Sequence, residues 1–294
     1  MHKAILFLSA LMALLACNRK AEIPVFVTVE NFRIETDFNL SGTASTNITT
    51  IWVELDDEQI GAFELPVSFP IITNGKQQTL KIIPGINLNG IAALRNQYEF
   101  YKPYELTKTF VEGEEIKIQS PGKTFPVTGY QPWATTTRVE DFEGAGLNFD
   151  RTLKSDTSLL ITNNPAEVFS EPLLNEANLR SGKIVIPKGN SIVEFRSINS
   201  YKLPTFSRNV YLEVNYKCEV PVTFGVFANG FNQVVQAPVV TVNPTATWRK
   251  IYINIAVEVS AYPNAIDYNV FFGAINTDQN NTKTIFIDNI KLVY

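Results

Sequence analysis

The sequence predicts an all-β protein built from two β-sandwich domains, and three observations carry that expectation. Short runs of alternating apolar residues recur along the chain, with 20 Phe and 11 Tyr among 294 residues. Alternation of period two marks a half-buried strand. Beyond the first twenty residues, no stretch keeps a period of 3.6 for more than about two turns. A segment rich in Pro and Gly, QSPGKTFPVTGYQPWA at 119–134, then divides the chain. Pro121, Pro126 and Pro132, with Gly122 and Gly129, leave no room for an unbroken strand. The 278 residues after position 16 suit two domains at about 100–200 residues each.

The first residues have the three parts of an export leader. Lys3 supplies positive charge, Ala4 to Leu15 is apolar apart from Ser9, and small Ala16 precedes Cys17. That run is shorter than the about 20 apolar residues a membrane-spanning helix needs, so it reads as a signal peptide over 1–16 that is removed. Within LMALLACNRK, the segment Leu14-Leu15-Ala16-Cys17 resembles the lipobox of bacterial lipoproteins. The resemblance implies that the Cys17 thiol is lipidated and that the chain is cut before it. Residues 17–24 then form a lipidated tether. The seven residues 18–24 after the cysteine span at most about 25 Å, which keeps the folded part near the bilayer. The expected location is the outer membrane, with the periplasmic and cell-surface faces both open.

The first domain is expected over 25–118. In ITTIWVELD, Ile51, Val53 and Leu55 share one face, while Trp52 and Glu54 share the other. A turn at Asp56-Asp57-Glu58 leads into QIGAF as the returning strand. In FPIITNGKQQTLKII, Asn74-Gly75 reads as a two-residue hairpin turn. This compact meander resembles an immunoglobulin-like or PEGA-like β domain. The segment 84–104, PGINLNGIAALRNQYEFYKPY, breaks alternation and ends in Tyr98, Phe100, Tyr101 and Tyr104. It is either a binding loop with an aromatic surface or a loop pinned to the sandwich by those rings.

The second domain, 135–294 after the linker 119–134, holds more strands: KIVIP, SIVEFRSI, NVYLEVNYK, VTFGVFA, WRKIYINI, YNVFFGAI and TIFIDNIKLVY. Val210, Leu212, Val214 and Tyr216 share a face. Trp248 is expected in the core with Ile251, Ile253 and Ile255. In the last strand Ile285 and Ile287 have one parity and Ile290 and Leu292 the other, so a β-bulge near Asp288-Asn289 is needed to turn all four inward. With an opening VEDFE, the strand TWRKIYINI and the closing IDNIKL, residues 139–294 resemble galactose-binding-like jelly-roll modules, many of which bind carbohydrate. The resemblance implies that a structural Ca²⁺ could join the first and last strands through Asp141 or Glu143 and Asp288. No other cofactor is expected.

Composition narrows the chemistry. The one histidine, His2, lies in the leader, so the mature chain has no histidine for a Ser-His-Asp triad or a histidine-ligated metal. Beyond Cys17, Cys218 is the only cysteine and reads as a half-buried small residue. Without the leader 24 basic residues face 29 acidic ones, a net charge of −5, and no basic run offers a nucleic acid its footprint. Paired carboxylates stay open to a chain this acidic, although no pair stands out around Glu140, Asp141 and Glu143.

A sugar site needs an aromatic face for the C–H side of a pyranose, with amides or carboxylates for its hydroxyls. Phe231 in the turn-rich ANGFNQ, with Asn229, Asn232 and Gln233, is the best local constellation. Tyr201 in RSINSYKLPTF, beside Arg196 and Asn199, and Trp133 are further candidates, Trp133 also fitting a residue packed between the domains. The resulting expectation is a non-catalytic, outer-membrane-anchored lipoprotein that binds a glycan through its jelly roll. An accessory subunit docking an outer-membrane protein of a transport or secretion assembly is the alternative, and a polysaccharide hydrolase the third reading.

Overall fold

The computed structural model describes residues 22–171, 174, 178–206 and 208–294. The leader and Cys17 lie outside them. The described chain is nearly all β, with 21 strands and two short helices.

The first sandwich opens with β1 (Val25–Val29), whose alternate residues Val25, Val27 and Val29 are fully buried. β1 lies between β5 (Val67–Ile71), antiparallel, and β9 (Glu115–Lys117), parallel. The facing sheet runs from β4 (Glu58–Glu64) through β3 (Thr50–Leu55) to β6 (Gln77–Asn87), which also pairs with β7 (Arg95–Gln97) and β8 (Tyr104–Thr109). Ile51, Val53 and Leu55 of β3 join Leu80 and Ile82 of β6 in the core beneath Val27 and Phe69. The tight turn of this half is Asp56–Asp57, where both residues take positive φ, 51° and 66°, as a type I′ hairpin demands.

Asn74–Gly75 is not the hairpin that its sequence predicts. The strands on either side belong to different sheets, β5 beside β1 and β6 beside β3. Gly75 takes positive φ, and Gln78 ties the loop by accepting from Thr73 Oγ1 (3.0 Å) and Asn74 N (3.1 Å). The linker is likewise less free than its composition implies. Within it β10 (Val127–Thr128) pairs in parallel with β2 (Arg33–Ile34).

The second sandwich has two layers. One layer orders β13 (Leu160–Thr162), β14 (Ser181–Ile186), β21 (Lys283–Val293), β16 (Tyr211–Cys218) and β19 (Thr245–Asn254), with β11 (Thr136–Glu140) pairing the second half of β21. The other orders β12 (Phe149–Arg151), β15 (Ser191–Ser197), β20 (Asp267–Asn276), β17 (Val222–Asn229) and β18 (Val234–Val242). The β16–β21 register slips between Glu213 and Asn215, where Lys291 and Asp288 are the respective partners, and Asn289 takes φ 50°. That bulge puts Ile285, Ile287, Ile290 and Leu292 into one core with Leu212, Val214, Ile251 and Ile253.

The two sandwiches meet on the outer face of the β16–β19 layer. Tyr211, Glu213 and Asn215 of β16 and Lys250 and Tyr252 of β19 alternate with core residues and are buried too. Tyr98, Phe100 and Tyr101 press onto them; the Tyr98 ring lies 5.0 Å from those of Tyr211 and Tyr252. The aromatic segment therefore pins the loop, and it does so against the second sandwich. Trp248 shares the parity of Lys250 and Tyr252, so it sits on this outer face and not in the core, half-buried beside Phe169 and Phe286. Ile251, Ile253 and Ile255 fill the core as expected.

Candidate functional site

Phe231 stands at the tip of the β17–β18 hairpin. Asn229 and Val234 are the last paired residues, and Gly230 N donates to Gln233 O at 2.8 Å to close the turn. The Phe231 ring is 92 % exposed. Beside it lies the short helix Ala256–Ala261, which ends at Tyr262. The Tyr268 hydroxyl holds that helix end by bonding Val259 O (2.8 Å) and Tyr262 O (2.9 Å). A further bond, Ile266 N to Asn229 O at 2.7 Å, ties the returning loop to the hairpin. Between hairpin and loop is a cavity of about 540 Å³ lined by Phe231, Asn232, Gln233, Tyr262 and Asn264. Two aromatic rings and three amides on one concavity can face the apolar side of a sugar ring and its hydroxyls together.

Asn229 and Tyr201 do not line this cavity. The Asn229 amide donates to Asp267 Oδ1 (2.6 Å) and Asn269 Oδ1 (2.8 Å), so it braces the base of the hairpin. Tyr201 packs on the core, pairs with Tyr268 and accepts from Asn148 Nδ2 at 3.0 Å. Burial pushes its phenol upward. Tyr262 was invisible to local sequence reasoning because it comes 31 positions after Phe231, and only the β17–β20 pairing brings the two loops together.

The outward face of the β12–β15–β20–β17–β18 layer carries Phe227 and Phe271, ring centroids 4.9 Å apart. A polar network braces it. Glu194 of β15 accepts from Thr152 Oγ1 (2.8 Å), Lys154 Nζ (3.2 Å) and Gln236 Nε2 of β18 (2.6 Å). Burial alone would raise the Glu194 carboxyl; the three donors outweigh it and leave the carboxyl below its ordinary range.

The three carboxylates expected at a calcium site each face donors. Asp288 Oδ2 accepts from Ser181 Oγ (2.5 Å) and Asn178 Nδ2 (2.8 Å), and its Oδ1 from Asn289 N (2.7 Å). Glu143 Oε1 accepts the N–H groups of Leu179 and Arg180, both at 2.8 Å, with the Arg180 guanidinium 3.8 Å from its other oxygen. Asp141 pairs with Arg138 at 3.1 Å. Calcium takes six to eight oxygens; this donor set instead suits a hydrogen-bonded pin between residues 178–181 and β21. Among the described residues no group of three His, Cys, Asp or Glu is placed to hold a metal. Nearby Glu140 accepts Phe142 N (2.7 Å) and Asn148 N (2.6 Å) and is buried. Cys218 is buried, and burial pushes its thiol up to about 11, which removes thiolate reactivity at neutral pH.

Sequence reasoning also missed the polar cluster between the sandwiches. Glu213 is fully buried, 2.6 Å from Lys250 Nζ, and accepts from Tyr98 (2.7 Å) and Tyr130 (3.1 Å). Burial would raise its carboxyl; Lys250 and Lys291 outweigh that and hold it below the ordinary range. Lys291 Nζ in turn donates to Thr43 O at 3.0 Å. The only sequence sign was charge at regular strand positions, which ordinarily means solvent.

No protein-family model matches the chain, and no curated protein sequence matches it either. Solved structures with partial likeness include carbohydrate-binding modules and the enzymatically active domain of a bacteriophage CBA120 tailspike protein. A family 29 module is 15 % identical at a TM-score of 0.33, over 54 % of this chain and 88 % of its own. The family 11 module of the cellulosomal cellulase Lic26A-Cel5E of Clostridium thermocellum is 14 % identical at 0.34, over 53 % and 93 %. A structure described for promiscuous specificity among modules of the β-sandwich superfamily is 12 % identical at 0.43, over 92 % and 98 %.

Proposed function

We propose that this protein is a non-catalytic glycan-binding lipoprotein, anchored in the outer membrane through Cys17 and binding sugar at the end of its second sandwich. The observation that carries the reading is Phe231. A phenylalanine ring 92 % exposed on a hairpin braced by Asn229 has no structural work to do, and it borders an amide-rimmed concavity with Tyr262. Pyranose C–H groups against Phe231, with hydroxyls bonded to Asn232, Gln233 and Asn264, would use all of it.

The test is a glycan array probed with the wild-type protein and Phe231→Ala. The wild type should bind a defined set of glycans and the variant should lose at least tenfold in affinity for them, with an unchanged melting temperature. Equal binding by both, or none by the wild type, refutes the reading. Capture of a membrane barrel by wild type and variant alike, without glycan binding, would favour an accessory subunit of an envelope assembly. Mass spectrometry of the membrane-extracted protein tests the anchor by the mass of the N-terminal peptide beginning at Cys17.

A further inference from the structure

A second concavity lies where the two sandwiches meet, away from the Phe231 hairpin. It is about 710 Å³ in volume and is lined by Glu99, Trp133, Lys202, Arg208 and Asn209, with Tyr294 on its wall. Trp133 comes from the linker and is 58 % exposed. Its covered side rests on Phe100, ring centroids 5.4 Å apart. Phe100 is buried and lies 5.5 Å from Tyr98 and 5.9 Å from Tyr211. The backbone is fixed as well: Gln131 N donates to Phe100 O at 2.7 Å and Ala134 N to Gln131 O at 3.0 Å. The linker therefore presents an indole face on a buttress shared by both sandwiches. A large aromatic surface left in water on so firm a support is the usual form of a stacking platform.

The charges around it are uneven. Lys202 and Arg208 are exposed, and among the described residues neither lies within ion-pair distance of a carboxylate. Glu99, the one acidic side chain among the described lining residues, already accepts from Asn209 Nδ2 at 2.5 Å. A ring to stack against and two cations with no carboxylate in ion-pair reach among the described residues match a sugar that carries a carboxylate. We propose that this cleft is a separate binding site for uronic-acid-bearing saccharides, with Trp133 under the pyranose ring and Lys202 and Arg208 on its carboxylate. The choice of a saccharide rests on the glycan-binding reading; the place does not, since neither Phe231 nor its hairpin takes part.

The experiment uses trigalacturonate and the neutral trigalactoside as probes of the folded protein, followed by calorimetry and tryptophan fluorescence. The wild type should bind trigalacturonate with a change in indole emission and with affinity that falls as salt rises. Trp133→Ala should weaken binding at least tenfold. The double variant Lys202→Ala/Arg208→Ala changes only exposed side chains, and so reads the site even if loss of Trp133 disturbs Phe100. It should bring the two probes within twofold of each other and abolish the salt dependence. Phe231→Ala should leave all of this unchanged. No trigalacturonate binding by the wild type, a double variant that keeps the preference, or binding lost in Phe231→Ala but kept in Trp133→Ala would each overturn the proposal. The last of these would leave the Phe231 reading standing.

Discussion

Asp288 makes the stability of this protein depend on pH in an unusual direction. Its side chain has no solvent access at the β21 bulge. Burial pushes its carboxyl up from the usual 3.8 to about 8; the bonds from Ser181, Asn178 and Asn289 N offset part of that, and the nearby charge of Glu143 adds to it. A carboxyl raised on folding holds a proton in the native state that the unfolded chain has already released. Between about pH 4 and pH 8 the native state therefore binds more protons, and stability falls as pH rises through that window. At about 1.4 kcal/mol per tenfold change in protonation, the full displacement is on the order of 5 kcal/mol. Local relaxation reduces it to a few kcal/mol. Asp288→Asn removes the titration. It also turns an N–H₂ toward one of the present donors, at about 1–2 kcal/mol, so the variant should be the less stable protein at pH 5. Urea denaturation from pH 5 to pH 9 is the assay. The wild-type curve should fall across this range, the variant should stay flatter, and the two should converge or cross. Glu140, also raised by burial, acts at the acid end of the window in both proteins alike, and the other displaced groups act mainly outside it. The lowered Glu213 loses its contribution only as acid protonates it, and the thiol of Cys218, up at about 11, matters mainly above pH 9. Parallel curves for the two proteins would refute the reasoning.

Lys250→Met should cost about 3–5 kcal/mol in urea denaturation, because it strands the fully buried Glu213 charge; replacing both Lys250 and Glu213 with apolar residues should recover much of that loss. Gly85→Ala should lower stability by about 1–3 kcal/mol, since a Cβ there would lie 2.0 Å from the Trp52 ring. Trp52→Ala in the same chain should relieve most of the penalty in a thermal melt.

The parts of this fold that were legible in sequence are those set by local parity. The break between Ile287 and Ile290 demanded a bulge, and the chain makes one at Asp288–Asn289. The alternation of Ile51, Val53 and Leu55 marked their buried face correctly. What escaped was set by partners distant in sequence. Asn74–Gly75 carries the chemistry of a tight turn, yet nothing local says that β5 and β6 will join opposite sheets. Glu213, Asn215 and Lys250 look like residues facing water because alternation cannot report a second domain lying on that face; the same cover explains the outward Trp248. For the Phe231 site, the exposed ring and its amides could be picked out within ANGFNQ. Tyr262 and Asn264 could not, because strand pairing brings them there.

The tyrosine-lined Glu213–Lys250 cluster also decides how the molecule bears load. Its hydrogen bonds tie the loop at Tyr98, the linker at Tyr130 and strands β16, β19 and β21 together. Bending one half of the protein against the other would drag a carboxylate and two ammonium groups through apolar surroundings. Force applied at the far hairpin would therefore meet a stiff seam where the two sandwiches join.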